Sequence, residues 1–129
     1  MSAISEGDLN DLIAGEMPWA TDMGLRVEDL GEGTCRVRLP FDPRFVRPGG
    51  TLAGPMMLAA ASLAMYAAVL SLYGRVEAAA ARSLTCSYLR ATPPADLLAE
   101  ARILHRAGRS AYGVVALYSA DDEDGGPVA

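Results

Sequence analysis

The sequence predicts an α+β domain in which an antiparallel sheet wraps around one long helix. The 27 residues from Pro48 to Gly74 contain no charged side chain, and a helix that is apolar on every face must be enclosed. On both sides of this stretch, short segments alternate apolar and charged residues, which is typical of strands with one face in solvent. A chain of 129 residues suffices for one such core. We expect one domain over residues 1–129, with its core at about residues 18–120.

The elements before the long helix follow from local signals. Residues 5–15 predict a short amphipathic helix, followed by a connecting loop at Pro18 and Trp19. Residues 24–39 predict a β-hairpin that turns at residues 31–33. A loop over residues 40–50 leads to the central helix, which we expect over residues 55–72, because Pro55 suits a first helical position and Gly74 can end the helix.

Three strands are expected after the central helix. They cover residues 79–90, 96–106 and 109–119, with a break at Thr92-Pro93-Pro94 and a tight turn at Ala107-Gly108. Residues 121–126 are acidic and glycine-rich, and we expect them to form a mobile end. All three strands would run antiparallel to their neighbours and complete the sheet around the helix.

Composition excludes several functions. The net charge is −5, which argues against a nucleic-acid partner. All 11 basic residues are arginines, so a Schiff-base lysine is excluded, and a single histidine, His105, leaves no His-cluster metal site. We read Cys35 and Cys86 as buried reduced thiols. We expect no cofactor, and we expect a cytoplasmic protein because the N-terminal residues are acidic rather than those of a signal peptide.

A membrane protein is an alternative interpretation of the uncharged stretch. A transmembrane span needs about 20 apolar residues, and this stretch is long enough. It is rich in Ala, Ser and Gly rather than in Leu, Ile and Phe, and Arg47 and Arg75 flank it symmetrically. Small residues let a sheet approach the helix closely, so we expect enclosure by protein and no membrane partner.

The order and spacing of several segments resemble the hotdog-fold thioesterase superfamily, in particular the PaaI-like acyl-CoA thioesterases. The resemblance covers about residues 18–120. It rests on the segments Met23–Val27, Arg36–Pro40, Gly49–Thr51, Ala64–Ala67, Tyr88–Arg90 and Leu98–Arg102. It implies a hotdog fold and a protein that hydrolyses the thioester of an acyl-coenzyme A at a subunit interface.

The family's usual site combines an Asn before the helix, a His-Gly-Gly at the helix start and an acid further along the helix. Here those positions hold Arg47, then Ala53, Gly54 and Pro55, and finally Ser62, nine residues after Ala53. The resemblance therefore gives Gly54 the role of polarising the thioester carbonyl through its N–H, and gives Ser62 that of holding water. Both have structural interpretations as well: a glycine that starts the helix, and a small residue that allows close packing.

The remaining site residues follow from the same resemblance. The acyl chain would lie beside Met56, Met57, Ser62 and Tyr66. Arg47, Ala53 and Pro55 would also contact the substrate, and Arg47 could meet a ligand carboxylate or phosphate, although a surface arginine there needs no ligand. Arg90, Arg106 and Arg109, near Arg102, are candidates for binding the phosphates of coenzyme A, although arginines on a solvated sheet face need no ligand.

Because the usual acid is replaced by Ser62, a non-catalytic protein that binds an acyl-CoA or another apolar ligand is the alternative function. An apolar helix and a single curled sheet would leave much apolar surface exposed on a monomer. We therefore expect a homodimer or a homotetramer.

Overall fold

A computed structural model describes residues 2–76 and 78–129 of the chain. The N-terminal part forms two helices, α1 (Glu6–Glu16) and α2 (Pro18–Met23), followed by strands β1 (Arg26–Gly31) and β2 (Thr34–Leu39). The long helix α3 (Gly54–Tyr73) comes next, and strands β3 (Leu97–Ala107) and β4 (Ser110–Ser119) complete the fold. Single 3-10 turns lie at Pro43–Phe45 and Glu123–Gly125.

The four strands form one antiparallel sheet in the order β1-β2-β3-β4. Cross-strand rows of apolar residues point to α3, such as Val37, Ala99 and Leu117, which are paired across β2, β3 and β4 and are fully buried. The alternate positions, such as Arg36 opposite Glu100, point to the outer face of the sheet. This alternation is the period of two on which the strand predictions were based.

Helix α3 lies against the inner face of the sheet through its small residues. Ala60, Ala64, Ala67 and Ala68 are inaccessible to solvent, and their short side chains allow the helix and the sheet to approach closely. The helix has a mean hydropathy of 1.8 and is long enough to span a membrane, but half of it is buried inside the protein. Its position shows that α3 is the core helix of the domain.

One hydrogen-bonded serine joins the far end of α3 to the hairpin. The Ser71 Oγ accepts from the Gly33 N–H at 2.8 Å and donates to the Ala68 carbonyl at 2.6 Å. Gly33 has a φ of +80°, a conformation that favours glycine at this turn. Both Ser71 and Gly33 are buried, so this pair satisfies a backbone donor that water does not reach.

The structure confirms the helices over residues 5–15 and 55–72, the hairpin, and the strands over 96–106 and 109–119. Two expectations were wrong. Pro18 and Trp19 begin α2 instead of forming a loop. Residues 79–90 form no strand in the structure. One stripe along α3, with Pro55 and Ser62 exposed, remains accessible in the single subunit, which agrees with the expectation that a monomer leaves apolar surface uncovered.

The segment that follows the acidic residues is also packed rather than free. Val128 is fully buried, and its N–H donates to the Leu117 carbonyl at 2.7 Å, at the outer edge of β4. The carbonyl of Ala129 accepts from the Leu117 N–H at 3.0 Å. Residues 125–129, which we call the strap, therefore extend the sheet by one short pairing.

Candidate active site

A loop with two glycines at its tip, between Val46 and Leu52, precedes the start of α3. Val46 and Leu52 form an isolated β-bridge, and the Arg47 N–H donates to the Thr51 carbonyl at 2.8 Å. At the tip, Gly49 and Gly50 have φ angles of 105° and 86°. These left-handed conformations favour glycine, so the Pro48-Gly49-Gly50 sequence is explained by the turn itself.

The first turn of α3 leaves one backbone donor without an acceptor. Ala53 occupies the N-cap position and offers no side-chain hydrogen bond. The N–H groups of Met56 and Met57 reach the Ala53 carbonyl at 3.1 and 3.4 Å, and Pro55 has no N–H. Within the described residues, the Gly54 N–H has no protein acceptor. It lies at the positive end of a 20-residue helix, where it can stabilise a developing negative oxygen.

Tyr88 lies directly beside Gly54, a contact that no sequence pattern indicated. The Tyr88 hydroxyl donates to the Gly54 carbonyl at 3.2 Å. A Cβ atom at position 54 would lie 3.0 Å from that hydroxyl oxygen and 3.2 Å from the adjacent ring carbon. Gly54 does not have a left-handed backbone, so the close approach of Tyr88 explains the glycine. Desolvation, followed by the neighbouring Cys86, raises the pKa of Tyr88 above its ordinary value, so the phenol is a donor at neutral pH as any tyrosine is.

Ser62 lies on the accessible stripe of α3, away from the sheet. It is exposed, eight residues after Gly54, which corresponds to about 12 Å along the helix axis. A hydroxyl at that distance cannot contact a carbonyl bound at the Gly54 of its own chain. The structure therefore separates the two predicted catalytic residues within one subunit.

The predicted acyl-binding residues divide between the stripe and the core. Pro55 is exposed and Tyr66 is partly buried on the same side of α3 as Ser62, whereas Met56 is partly buried about 120° away around the helix. Met57 is buried in the core, where its sulfur accepts from the Thr92 hydroxyl at 3.6 Å. Met57 is thus absent from the stripe that a ligand could reach.

The candidate arginines do not form one cluster. Arg106 lies over the Tyr73 ring at 5.0 Å and donates to the Leu72 carbonyl at 3.4 Å, at the C-terminal end of α3. Arg109 is exposed in the turn before β4. Arg90 lies near the opposite end of β4, about 30 Å away along ten residues of strand. Its guanidinium donates to the carbonyls of Gly125 and Gly126.

Arg47 and Ala53 border the start of α3. The Arg47 side chain is exposed and reaches the Thr51 hydroxyl at 3.4 Å, so its charge is available to a ligand. Ala53 is half-buried and its N–H donates to the Phe45 carbonyl at 2.8 Å. These two residues and Gly54 are the predicted site residues that the structure brings together.

The titratable residues outside this site give no second centre in the described chain. Cys35 is buried, and burial, followed by the charges of Asp29 and Glu6, raises the pKa of its thiol to about 12. Cys86 is only half-buried, contrary to the expectation that both thiols are buried. The described residues contain no group of three His, Cys, Asp or Glu side chains that could hold a metal ion.

Two surface depressions lie on the outer face of the sheet rather than at Gly54. One, of about 410 Å³, is lined by residues such as Arg36, Glu100 and Arg102. The other, of about 720 Å³, includes Glu28 and Arg38. Both are open, and some of their charged residues are paired with one another, for example Arg38 with Glu28 at 2.6 Å.

Comparisons with known proteins identify the family. The thioesterase superfamily matches residues 49–125 of the chain. A protein from a Silicibacter species, named as a candidate thioesterase, is 32% identical, with 99% of this chain and 88% of that chain covered and a TM-score of 0.83. A conserved Pseudomonas aeruginosa protein is 25% identical, with coverages of 80% and 82% and a TM-score of 0.74.

More distant structures share the fold. The Escherichia coli PaaI protein of the phenylacetic acid degradation operon is 17% identical, with 89% of this chain and 86% of that chain covered and a TM-score of 0.73. The comparison with curated proteins finds no match. The four-stranded antiparallel sheet around one long helix is the hotdog arrangement that the sequence predicted. The chain belongs to the thioesterase superfamily.

Proposed function

We propose that this protein hydrolyses the thioester of an acyl-coenzyme A at the start of α3, in a site completed by a second copy of the chain. The observation that carries the proposal is the Gly54 N–H, which has no protein acceptor among the described residues and lies at an N-terminus that no side chain caps. A thioester carbonyl that accepted from this N–H would be polarised by the donor and by the helix dipole.

The distance along α3 supports a site between subunits. Gly54 and Ser62 are about 12 Å apart in one chain, too far to act on one carbonyl. A second helix packed antiparallel on the accessible stripe would bring its Ser62 toward the first chain's Gly54. The same packing would bring Arg106 and Arg109, which lie at the other end of α3 and of β4, toward the start of the partner helix.

The exposed apolar surface supports the same assembly. Tyr112, Leu104 and Val114 near the β3–β4 turn are 65, 50 and 40% exposed. Leu84 and Leu89, in the segment between α3 and β3, are 49 and 62% exposed. Exposed apolar side chains of this kind favour association with another protein surface. The simplest assembly is a homodimer in which a second copy covers the accessible stripe of α3, and the next is a dimer of two such dimers.

The reaction would proceed by addition of water. The water oxygen attacks the thioester carbon, its proton passes to solvent, and the resulting oxyanion accepts from the Gly54 N–H. The carbon–sulfur bond then breaks, and the thiolate of coenzyme A leaves and is protonated by solvent. The Ser62 hydroxyl can hold the water but cannot act as an effective base, because an unassisted hydroxyl is a poor proton acceptor. Turnover is therefore expected to be slow compared with a site that has a carboxylate.

A non-catalytic acyl-CoA-binding protein is the second candidate function, and the serine at position 62 favours it. The same stripe and the same helix N-terminus would then hold an intact thioester. Both functions fit a cytoplasmic protein with an acyl-CoA partner and no cofactor.

Purified protein should be assayed against short-chain, aromatic and long-chain acyl-CoAs, with release of free coenzyme A thiol as the readout. We expect hydrolysis of at least one class, and a loss of activity in Gly54→Ala, whose methyl group would displace Tyr88 and crowd the N–H. Thr85→Ala, in an exposed position of the 84–90 segment, is the control. Binding without release of thiol would favour the second function. Neither binding nor release would contradict both.

A further inference from the structure

Tyr88 is held beside Gly54 by a segment that has no regular secondary structure. Residues 78–96 contain no strand, and Tyr88 is 50% exposed. Besides an interaction with the neighbouring Cys86 side chain, its hydroxyl donates to the Gly54 carbonyl at 3.2 Å. One long-range bond from a half-exposed ring does not by itself fix a side chain, so its position depends on the backbone that carries it.

The strap, residues 125–129, fixes that backbone. The Val128 carbonyl accepts from the N–H groups of Leu89 and Arg90, at 2.8 and 3.4 Å. The Arg90 guanidinium in turn donates to the Gly126 carbonyl at 2.8 Å and to the Gly125 carbonyl at 3.3 Å. The two residues immediately after Tyr88 are therefore bound to the strap by four hydrogen bonds.

The strap itself is anchored in the core. The Val128 side chain is fully buried, and the strap pairs with Leu117 of β4 through two backbone hydrogen bonds, of 2.7 and 3.0 Å. A continuous series of contacts thus runs from β4 through Val128 and Leu89 to Tyr88, and from Tyr88 to Gly54.

We propose that Tyr88 is a positioning residue of the thioester site and that the strap sets its position. The proposal rests on the proposed function, because Tyr88 acts through the Gly54 N–H that would bind the substrate carbonyl. Tyr88 atoms lie 3.0–3.5 Å from the position that a Cβ atom of residue 54 would occupy, so the ring lines one side of Gly54, and a substrate carbonyl that accepts from the Gly54 N–H would approach beside this ring. A donor shielded from water stabilises an oxyanion more strongly than a hydrated donor does.

The assignment predicts different effects for different variants. Tyr88→Ala removes the ring and should lower kcat more than it changes KM, because carbonyl placement matters most in the transition state. Tyr88→Phe keeps the ring but loses the bond to the Gly54 carbonyl, and we expect it to retain more activity than Tyr88→Ala. Val128→Ala loosens the strap while its backbone hydrogen bonds remain possible, and it should lower kcat in the same direction.

A double-mutant cycle tests the link between the strap and Tyr88. We expect Val128→Ala to lower kcat by about 2- to 100-fold in the presence of Tyr88, the range given by coupling between contacting residues. In the Tyr88→Ala background it should have no further effect. Asp124→Asn, an exposed change just before the strap, is the matched control. Equal effects of Val128→Ala in both backgrounds would overturn the proposal, since they would show that the strap does not act through Tyr88.

Two further measurements separate this proposal from the proposed function. Amide hydrogen exchange should become faster at Leu89 and Arg90 in Val128→Ala, and unchanged exchange there would overturn the role of the strap, whether or not the protein is an enzyme. If the wild type binds acyl-CoA without hydrolysing it, the same double-mutant cycle is measured with the dissociation constant of acyl-CoA in place of kcat. If the wild type neither binds nor hydrolyses, the proposed function and the role of Tyr88 both fail. Circular dichroism of each variant confirms that the fold is retained.

Discussion

Restoring a carboxylate at position 62 should accelerate the reaction. Ser62 is exposed on the accessible stripe of α3, so Ser62→Asp places its charge in solvent within one subunit and should change the free energy of unfolding by no more than about 0.5 kcal/mol. A positioned general base contributes about 10²–10⁴-fold to a rate. We expect kcat of Ser62→Asp to rise within that range, with the lower end favoured because Arg47 and Ala53 also depart from the family's usual site.

The assay is release of coenzyme A thiol across the acyl-CoA panel, with Ser62→Asn as a control of the same size without the charge. A gain in Ser62→Asp that Ser62→Asn also shows would refute the base interpretation. If the wild type already hydrolyses an acyl-CoA at a rate typical of enzymes and Ser62→Asp abolishes it, Ser62 is not a degenerate acid position and the mechanism is wrong.

Mixed oligomers test whether the two positions act across subunits. A chain that carries both Gly54→Ala and Ser62→Asp has no complete site of its own. In a mixed oligomer with wild-type chains, its carboxylate can serve the intact Gly54 of the partner, so the mixed species should turn over faster than either parent. If the two positions acted within one chain, the mixture would show only the average of its parents.

Three further outcomes follow from the packing. Ser71→Ala should lower the free energy of unfolding by about 1–3 kcal/mol in thermal or urea unfolding, because it leaves the buried Gly33 N–H without its acceptor. Ser62→Ala, an exposed change on the same helix, is the control and should have little effect. A similar loss of stability in Ser62→Ala would contradict this explanation. Iodoacetamide at pH 8 should label Cys86 well before Cys35, because burial raises the pKa of the Cys35 thiol to about 12 and keeps it protonated until the protein unfolds. Faster labelling of Cys35 would contradict this and show that the core around Cys35 opens in the folded protein. Light scattering at micromolar concentration should give at least a dimer, and a stable monomer would remove the second subunit on which the proposed site depends.

The sequence predicted those elements in which the order of apolar and polar residues directly reflects which side chains are buried. Alternation of apolar and charged residues identified the hairpin and strands β3 and β4, and the uncharged stretch identified α3. The same reasoning failed at residues 79–90, where apolar residues such as Leu84 and Leu89 are in fact exposed. Alternation of apolar and polar residues also occurs in an exposed segment without secondary structure, and the local pattern does not distinguish such a segment from a strand.

The candidate site was predicted only in part, for a related reason. Gly54 and the helix start were identified from a short motif, because helix signals are local. The contact between Tyr88 and Gly54 joins residues 34 positions apart, and the strap joins Val128 to Leu89 across a similar separation. Glycine at position 54 was a possible sign that another group approaches closely, but the sequence could not indicate which one.

The central claim is that the thioester carbonyl binds at Gly54 of one subunit while Ser62 of another faces it. The most direct test is a crystal structure of the protein with an acyl-CoA analogue in which a methylene group replaces the sulfur, since this ketone keeps the carbonyl and cannot be hydrolysed. We predict that the ketone oxygen accepts a hydrogen bond from the Gly54 N–H, within about 3 Å, with Ser62 of the second subunit on the other side of the carbonyl. An analogue bound away from α3, or at Gly54 with no second subunit nearby, would contradict the account.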